Sequence, residues 1–237
     1  MRPIEFLRHP IRSGAFRQVI VAALIAAPVP LAAQLTGYDT RGAFLAAAGP
    51  TTVQTFEGFP VGTVLGDNLT DFSSVSGRDL GGIARNVLVG SSSSLPFPMF
   101  SDALPSGTHF VSVDMASPSF ATGEITFTFA GGPRFAAGAF IADNSPINGF
   151  GIEAFLGATS LGSIFVGART LPNSFVGLTS TTGFTAIRFF AETDGDSWGL
   201  DDLEYGAVAV PEPSSAILLS LGAMVFAFGR RVRLRRS

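Results

Sequence analysis

The chemistry this chain can offer rests on a few residues. Gly195-Asp196-Ser197-Trp198-Gly199 has the form of a nucleophile elbow. That motif sets its serine on a sharp turn between a strand and a helix and takes its histidine from later in the chain. Here a strand pattern follows, over 200–205, and no His lies downstream of Ser197; the two histidines are His9 and His109. The stretch therefore reads as a glycine-rich turn. His109 has no second His at ligand spacing, so by itself it makes no metal site. Cysteine is absent, which removes thiolate nucleophiles and Cys-ligated zinc. All 15 basic residues are Arg, and a phosphate-binding loop of the Gly-Lys-Ser/Thr type needs Lys.

Carboxylates offer more. Glu57 follows the first strand pattern of the chain, Asp194 and Asp196 lie in a turn, and Asp201 and Asp202 lie on the last strand pattern. In a jelly-roll-like sandwich the first and last strands sit close together. Glu57 with Asp201 or Asp202 is then the candidate set for a structural calcium ion, a hard cation that takes carboxylate and carbonyl oxygens. Solvated loop carboxylates are the alternative. Two acids facing a cleft would also suit a glycosidase, an arrangement that sequence does not place. Trp198, the single tryptophan, is a candidate ligand-binding residue on which a sugar ring could stack; a core position is the alternative.

The elements that must position these groups are mostly strands. The chain has 23 Phe, 28 Gly and only 14% charged residues, a composition that favours many short strands and turns over helices. Strand patterns run over 52–56, 86–89, 109–114, 124–130, 136–142, 151–156, 161–166, 174–178, 185–191 and 200–205. Ile125, Phe127 and Phe129 alternate with Thr126 and Thr128, the period-2 sign of a half-buried strand. Turn clusters such as Gly131-Gly132-Pro133 and Asp143-Asn144-Ser145-Pro146 bound the runs. One short helix is expected near the start, with Asp39 as its cap, Gly49 as its end and Pro50 as its stop. Residues 90–106, rich in Ser and Pro, read as a surface loop. The expected fold is all-β: a jelly-roll-like antiparallel β-sandwich with one short N-terminal helix, flanked by an N-terminal signal helix and a C-terminal hydrophobic helix.

Both chain ends read as targeting segments. Arg2, Arg8, Arg12 and Arg17 precede an apolar run over 19–27, and Pro28, Pro30 and Ala32-Ala33 follow; this is the order of a secretory signal peptide over 1–33. Residues 34–208 form the ectodomain and 209–237 the tail. The tail joins Val210, Pro211, Glu212, Pro213 and Ser214 to an apolar run ending near Phe228, then to Arg230, Arg231, Arg233, Arg235 and Arg236. The prolines keep the first part extended and open to an enzyme. The apolar run is shorter than the roughly 20 residues of a comfortable span, and the arginines hold its end in the cytoplasm. Between residues 34 and 210 six Arg face sixteen Asp and Glu, a net charge of −10. That balance argues against nucleic acid, whose binding needs a cationic surface.

The three-part tail resembles that of the PEP-CTERM sorting-domain proteins. The resemblance implies recognition by exosortase, a membrane-embedded transpeptidase, transient anchoring in the inner membrane of a Gram-negative bacterium, and release or transfer to the cell surface or extracellular matrix. A permanent, uncleaved tail anchor is the alternative. The stretches Thr55-Phe56-Glu57-Gly58-Phe59, Ile125-Thr126-Phe127-Thr128-Phe129 and Trp198-Gly199-Leu200-Asp201-Asp202-Leu203 resemble β-sandwich ectodomains joined to such tails. The leading functional reading is an exported surface or matrix protein with no catalytic activity of its own. The alternatives are a carbohydrate-binding module for exopolysaccharide and a secreted hydrolase.

Overall fold

The computed structural model describes residues 33–91, 105–113, 122–142, 147–169, 174–191 and 198–207. The signal peptide, except for Ala33, the whole sorting tail, Ser197 and the acids Asp194 and Asp196 lie outside them. In chain order the elements are β1 (Leu35–Tyr38), α1 (Arg41–Ala48), β2 (Thr52–Gln54), β3 (Phe72–Asp79), β4 (Ala84–Arg85), β5 (Val87–Ser91), β6 (His109–Val113), β7 (Thr122–Phe129), β8 (Arg134–Ala142), β9 (Ile147–Leu156), β10 (Thr159–Arg169), β11 (Ser174–Phe184), β12 (Ala186–Ala191) and β13 (Gly199–Gly206).

The strands form two antiparallel sheets. One has the order β1-β11-β8-β13-β6-β5, with β2 also paired to β13; the other runs β10-β9-β12-β7-β3-β4. Alternation decides which side chains face inward. In β7, Ile125, Phe127 and Phe129 are buried as the sequence pattern requires, while Thr126 and Thr128 face outward. One hydrophobic core draws on both sheets, including Phe56, Phe72, Phe127, Phe189, Leu200 and Tyr205. Its rings meet edge to face or tilted: Phe72 lies 5.4 Å from Phe127 and 5.2 Å from Tyr205, and Phe127 lies 6.2 Å from Phe189. Each fully buried phenyl ring contributes about 1.5–3 kcal/mol, so the phenylalanines supply much of the cohesion that a cysteine-free domain needs.

The short helix forms, with one correction. Thr40 rather than Asp39 occupies the N-cap, in extended conformation and with no side-chain cap hydrogen bond. Gly49 ends the helix at φ +70, donating its N–H to the Leu45 carbonyl at 3.2 Å. Phe44 packs α1 onto β11 through Phe175, at 5.3 Å between rings. Arg41, in the first turn, ties the helix to Glu204 of β13.

Three strands were not foreseen: β1, β3 and β4. In β3 only Phe72 and Val75 mark the inner face among polar and glycine residues, too sparse a stripe to signal a strand alone. The β5 strand also runs into Ser91, past the expected start of the loop over 90–106. Among the described residues, no helix is long and apolar enough to cross a membrane.

Candidate functional site

The acids singled out in the sequence meet at a break in the first sheet. Strand β13 pairs with β6 at Leu200↔Val111 and with β2 from Leu203↔Gln54 onward. It changes neighbour at a bulge. Asp201 opposes Phe140 of β8 and Glu204 opposes Gly138, so β13 carries one residue more than its partner there. Asp202, within the bulge, has φ +47. The expectation that the first and last predicted strands lie together is met by the β2–β13 ladder. Glu57 follows β2, and residues 105–108 lead into β6, so both reach the same corner.

The carboxylates there replace missing ladder bonds. Glu57 Oε1 accepts the backbone N–H groups of Thr108 at 2.8 Å and His109 at 2.6 Å. Asp202 Oδ1 accepts from the Ser106 hydroxyl at 2.6 Å, and Asp201 Oδ2 from the Ser106 N–H at 3.4 Å. Asp201 Oδ1 accepts the N–H of Asp202 at 2.7 Å. His109 Nδ1 lies 3.6 Å from Glu57 Oε2. Asp201 is fully buried. Burial pushes its carboxyl up to about 7, helped by the neighbouring charges of Asp202 and Glu57 and opposed by the two N–H donors.

This geometry brings the calcium candidates together. Glu57, Asp201 and Asp202 do share a corner, but their oxygens face N–H and O–H donors of residues 106–109 and of Asp202 itself. Among the described residues, no three His, Asp or Glu side chains are grouped to hold a metal ion. What the arrangement does is pin the segment entering β6. Gly107 makes this visible: it has φ +55, and a Cβ at that position would overlap the Glu57 carboxylate. Gly107→Ala should therefore strain the backbone and displace an anionic acceptor from two N–H groups. The expected cost is roughly 2 kcal/mol or more, read as a lowered unfolding midpoint; an unchanged midpoint would contradict the pinning role.

Trp198 takes the core position that the sequence also offered. It is fully buried, with its ring edge-on to Phe150 at 4.6 Å between centroids. A ring with no exposed face cannot serve as a stacking platform for a sugar.

Sequence reasoning passed over two buried acids. Glu204 is fully buried and bonded to Arg41, with the Thr51 hydroxyl donating at 3.3 Å. Asp79, also buried, accepts the Ile83 N–H at 2.9 Å and pairs with Arg85 at 2.9 Å. The Ile83 N–H, then Arg85, holds the Asp79 carboxyl below its ordinary range against the opposing effect of burial. Both acids have an Arg in reach, but the partners lie 163 and 6 residues away, and only the folded chain identifies the first.

A second cluster lies on the outer face of the six-stranded sheet. Arg188 of β12 donates to Glu124 of β7 at 2.8 Å and to Glu153 of β9. Arg78 of β3 pairs with Glu124 at 3.2 Å. The Arg188 guanidinium lies 5.4 Å from the Phe155 ring and 5.5 Å from the Phe190 ring. No spacing rule along the chain reveals this ladder, because its members come from four strands.

The tail is decided by comparison. Residues 209–236 match the family described as the PEP-CTERM protein-sorting motif. This chain carries a PEP-CTERM sorting motif. The match covers the stretch from Val210 to Ser214 and the five arginines at the end, the residues singled out above as the sorting motif and the membrane stop. No curated protein matches the chain. Among solved structures, it is similar to one titled "Crystal Structure Analysis of the K2 Cleaved Adhesin Domain of Lys-gingipain", at 16% identity and a TM-score of 0.45, over 66% of this chain and 99% of that one.

Proposed function

We propose that this PEP-CTERM chain is an exported protein whose sandwich, which we read as jelly-roll-like, is delivered to the cell surface or extracellular matrix and has no catalytic activity of its own. The observation that carries the reading is the sorting motif over 209–236. In this proposal the signal peptide over 1–33 starts translocation. The apolar tail then holds the protein in the inner membrane of a Gram-negative cell, with Arg230, Arg231, Arg233, Arg235 and Arg236 on the cytoplasmic side. An exosortase-type transpeptidase cuts near Pro211-Glu212-Pro213. The opposite charges of the ectodomain and the two ends support this topology. An acidic domain outside and cationic termini inside is the distribution that the positive-inside rule favours.

The expected result is a mature protein that ends near Pro213 in cells with the transpeptidase and retains Ser237 in cells without it, read by intact mass. An identical C-terminus in both strains would reject processing and leave a permanent anchor. The corner acids support a structural rather than a chemical role, because Glu57 Oε1, Asp201 Oδ2 and Asp202 Oδ1 each accept from the segment entering β6.

A further inference from the structure

The outer face of the six-stranded sheet presents a strip apart from the acidic corner. One cross-strand row runs Phe165–Gly151–Phe190–Glu124–Arg78, each residue opposite the next on the neighbouring strand. Gly151 leaves room in that row. The Phe190 ring lies over its backbone, where a Cβ would collide with it, and meets Phe165 edge to face at 5.5 Å. Phe165 is 42% exposed, a high value for a large apolar side chain. The adjacent row places Arg188 opposite Glu153, with Phe155 on the far side of the guanidinium. Beside the strip, Arg78, Leu80, Glu124, Arg188 and Phe190 border an open cleft of about 270 Å³.

The charges on this face point to the chemistry of its occupant. Arg188 is shared by Glu124 and Glu153, Arg78 is paired with Glu124, and Arg85 with Asp79. On the face itself Arg78 and Arg188 meet Glu124 and Glu153, so among the described residues its charges balance, in a domain that is otherwise strongly acidic. A charged ligand would have to break one of these pairs and leave its partner uncompensated. An uncharged ligand need not. Carboxylates retain free lone pairs, and guanidinium groups have five N–H donors, so the paired ions still offer hydrogen-bonding edges. Next to them stand the exposed ring of Phe165 and the partly exposed rings of Phe155 and Phe190. A ligand that has an apolar C–H face and a rim of hydroxyls matches both halves of this surface, and that description is a neutral sugar ring.

We propose that this strip and its cleft bind a neutral polysaccharide, with sugar rings against Phe165 and Phe190 and hydroxyls reaching Arg188, Glu153 and Arg78.

The test is a glycan array carrying neutral oligosaccharides and uronic-acid oligosaccharides, probed with the full chain in detergent micelles. Saturable binding to neutral members is expected. It should weaken about tenfold or more in Phe165→Ser, at a partly exposed position, and persist in Phe165→Trp. Far-UV circular dichroism checks the fold of each variant. The proposal fails if no neutral member binds, if Phe165→Ser binds as the wild type does, or if only uronic-acid members bind. A concentration-dependent dimer abolished by Phe165→Ser, with no sugar bound, would also overturn it and assign the strip to a second copy of the chain.

Discussion

Trp198→Ala should lower the stability of the sandwich by roughly 3–5 kcal/mol, the range for emptying a large aromatic site in a core. The ring is fully buried, sits against Phe150 and belongs to the cluster that draws on both sheets. Truncation removes its contacts and leaves a cavity that the surrounding β-structure can only partly close. Trp198→Phe should cost less. It retains much of the apolar volume and removes an indole N–H that has no hydrogen-bond partner among the described residues, a group that is unfavourable to bury. Because the substitution deletes the only fluorescent tryptophan, denaturant unfolding should be followed by circular dichroism. Phe165→Ala, at a partly exposed site, should cost only about 1 kcal/mol. If Trp198→Ala matched it, the ring would not be a core element, and its role as a ligand platform would return.

These contrasts show what could be read along the chain. Strands with dense alternation, such as β7, were legible because Phe and Ile recur at every second residue. Strand β3 was not, since its inner face is marked by two apolar side chains and Gly77. The helix was located by Gly49 and Pro50, yet its cap was misplaced by one residue, a margin typical of helix ends. For the acids, chain order was informative. Glu57 lies after the first predicted strand and Asp201-Asp202 on the last, and the β2–β13 ladder does bring those strands together. What order could not show is how the carboxylates are used. The bulge at Asp202 and the hydrogen bonds to residues 106–109 depend on β13 changing neighbour, a property of sheet topology. The aromatic and ionic strip around Arg188 was illegible for the same reason, since each strand contributes one or two of its residues.

Asp201 should make the stability of the domain fall as pH rises from about 4 to about 7. Its carboxyl is pushed from 3.8 to about 7 by burial, with Asp202 and Glu57 adding to the effect. In that window the folded protein holds a proton that the unfolded chain has already released. Unfolding therefore releases a proton, and each pH unit removes up to about 1.4 kcal/mol from stability. Below the unfolded value the carboxyl is neutral in both states and costs nothing; above about 7 the full penalty is in place. Asp201→Asn cannot ionise, so the difference between wild type and variant isolates this group from other carboxylates, including Asp79, whose lowered value acts in the opposite sense at lower pH. Near pH 4 the variant should be the less stable of the two by about 1 kcal/mol, because an amide N–H₂ in place of Oδ2 cannot accept the Ser106 N–H. Near pH 8 it should be the more stable, so the two curves cross between these values. Chemical denaturation at a series of pH values reads the crossing directly. Parallel curves would mean that Asp201 ionises in the folded protein as it does in the open chain, and that the corner is wetter than its buried position implies. A crossing would establish that the bulge holds a neutral carboxyl below about pH 7, where burial outweighs the two N–H donors that favour the charged form.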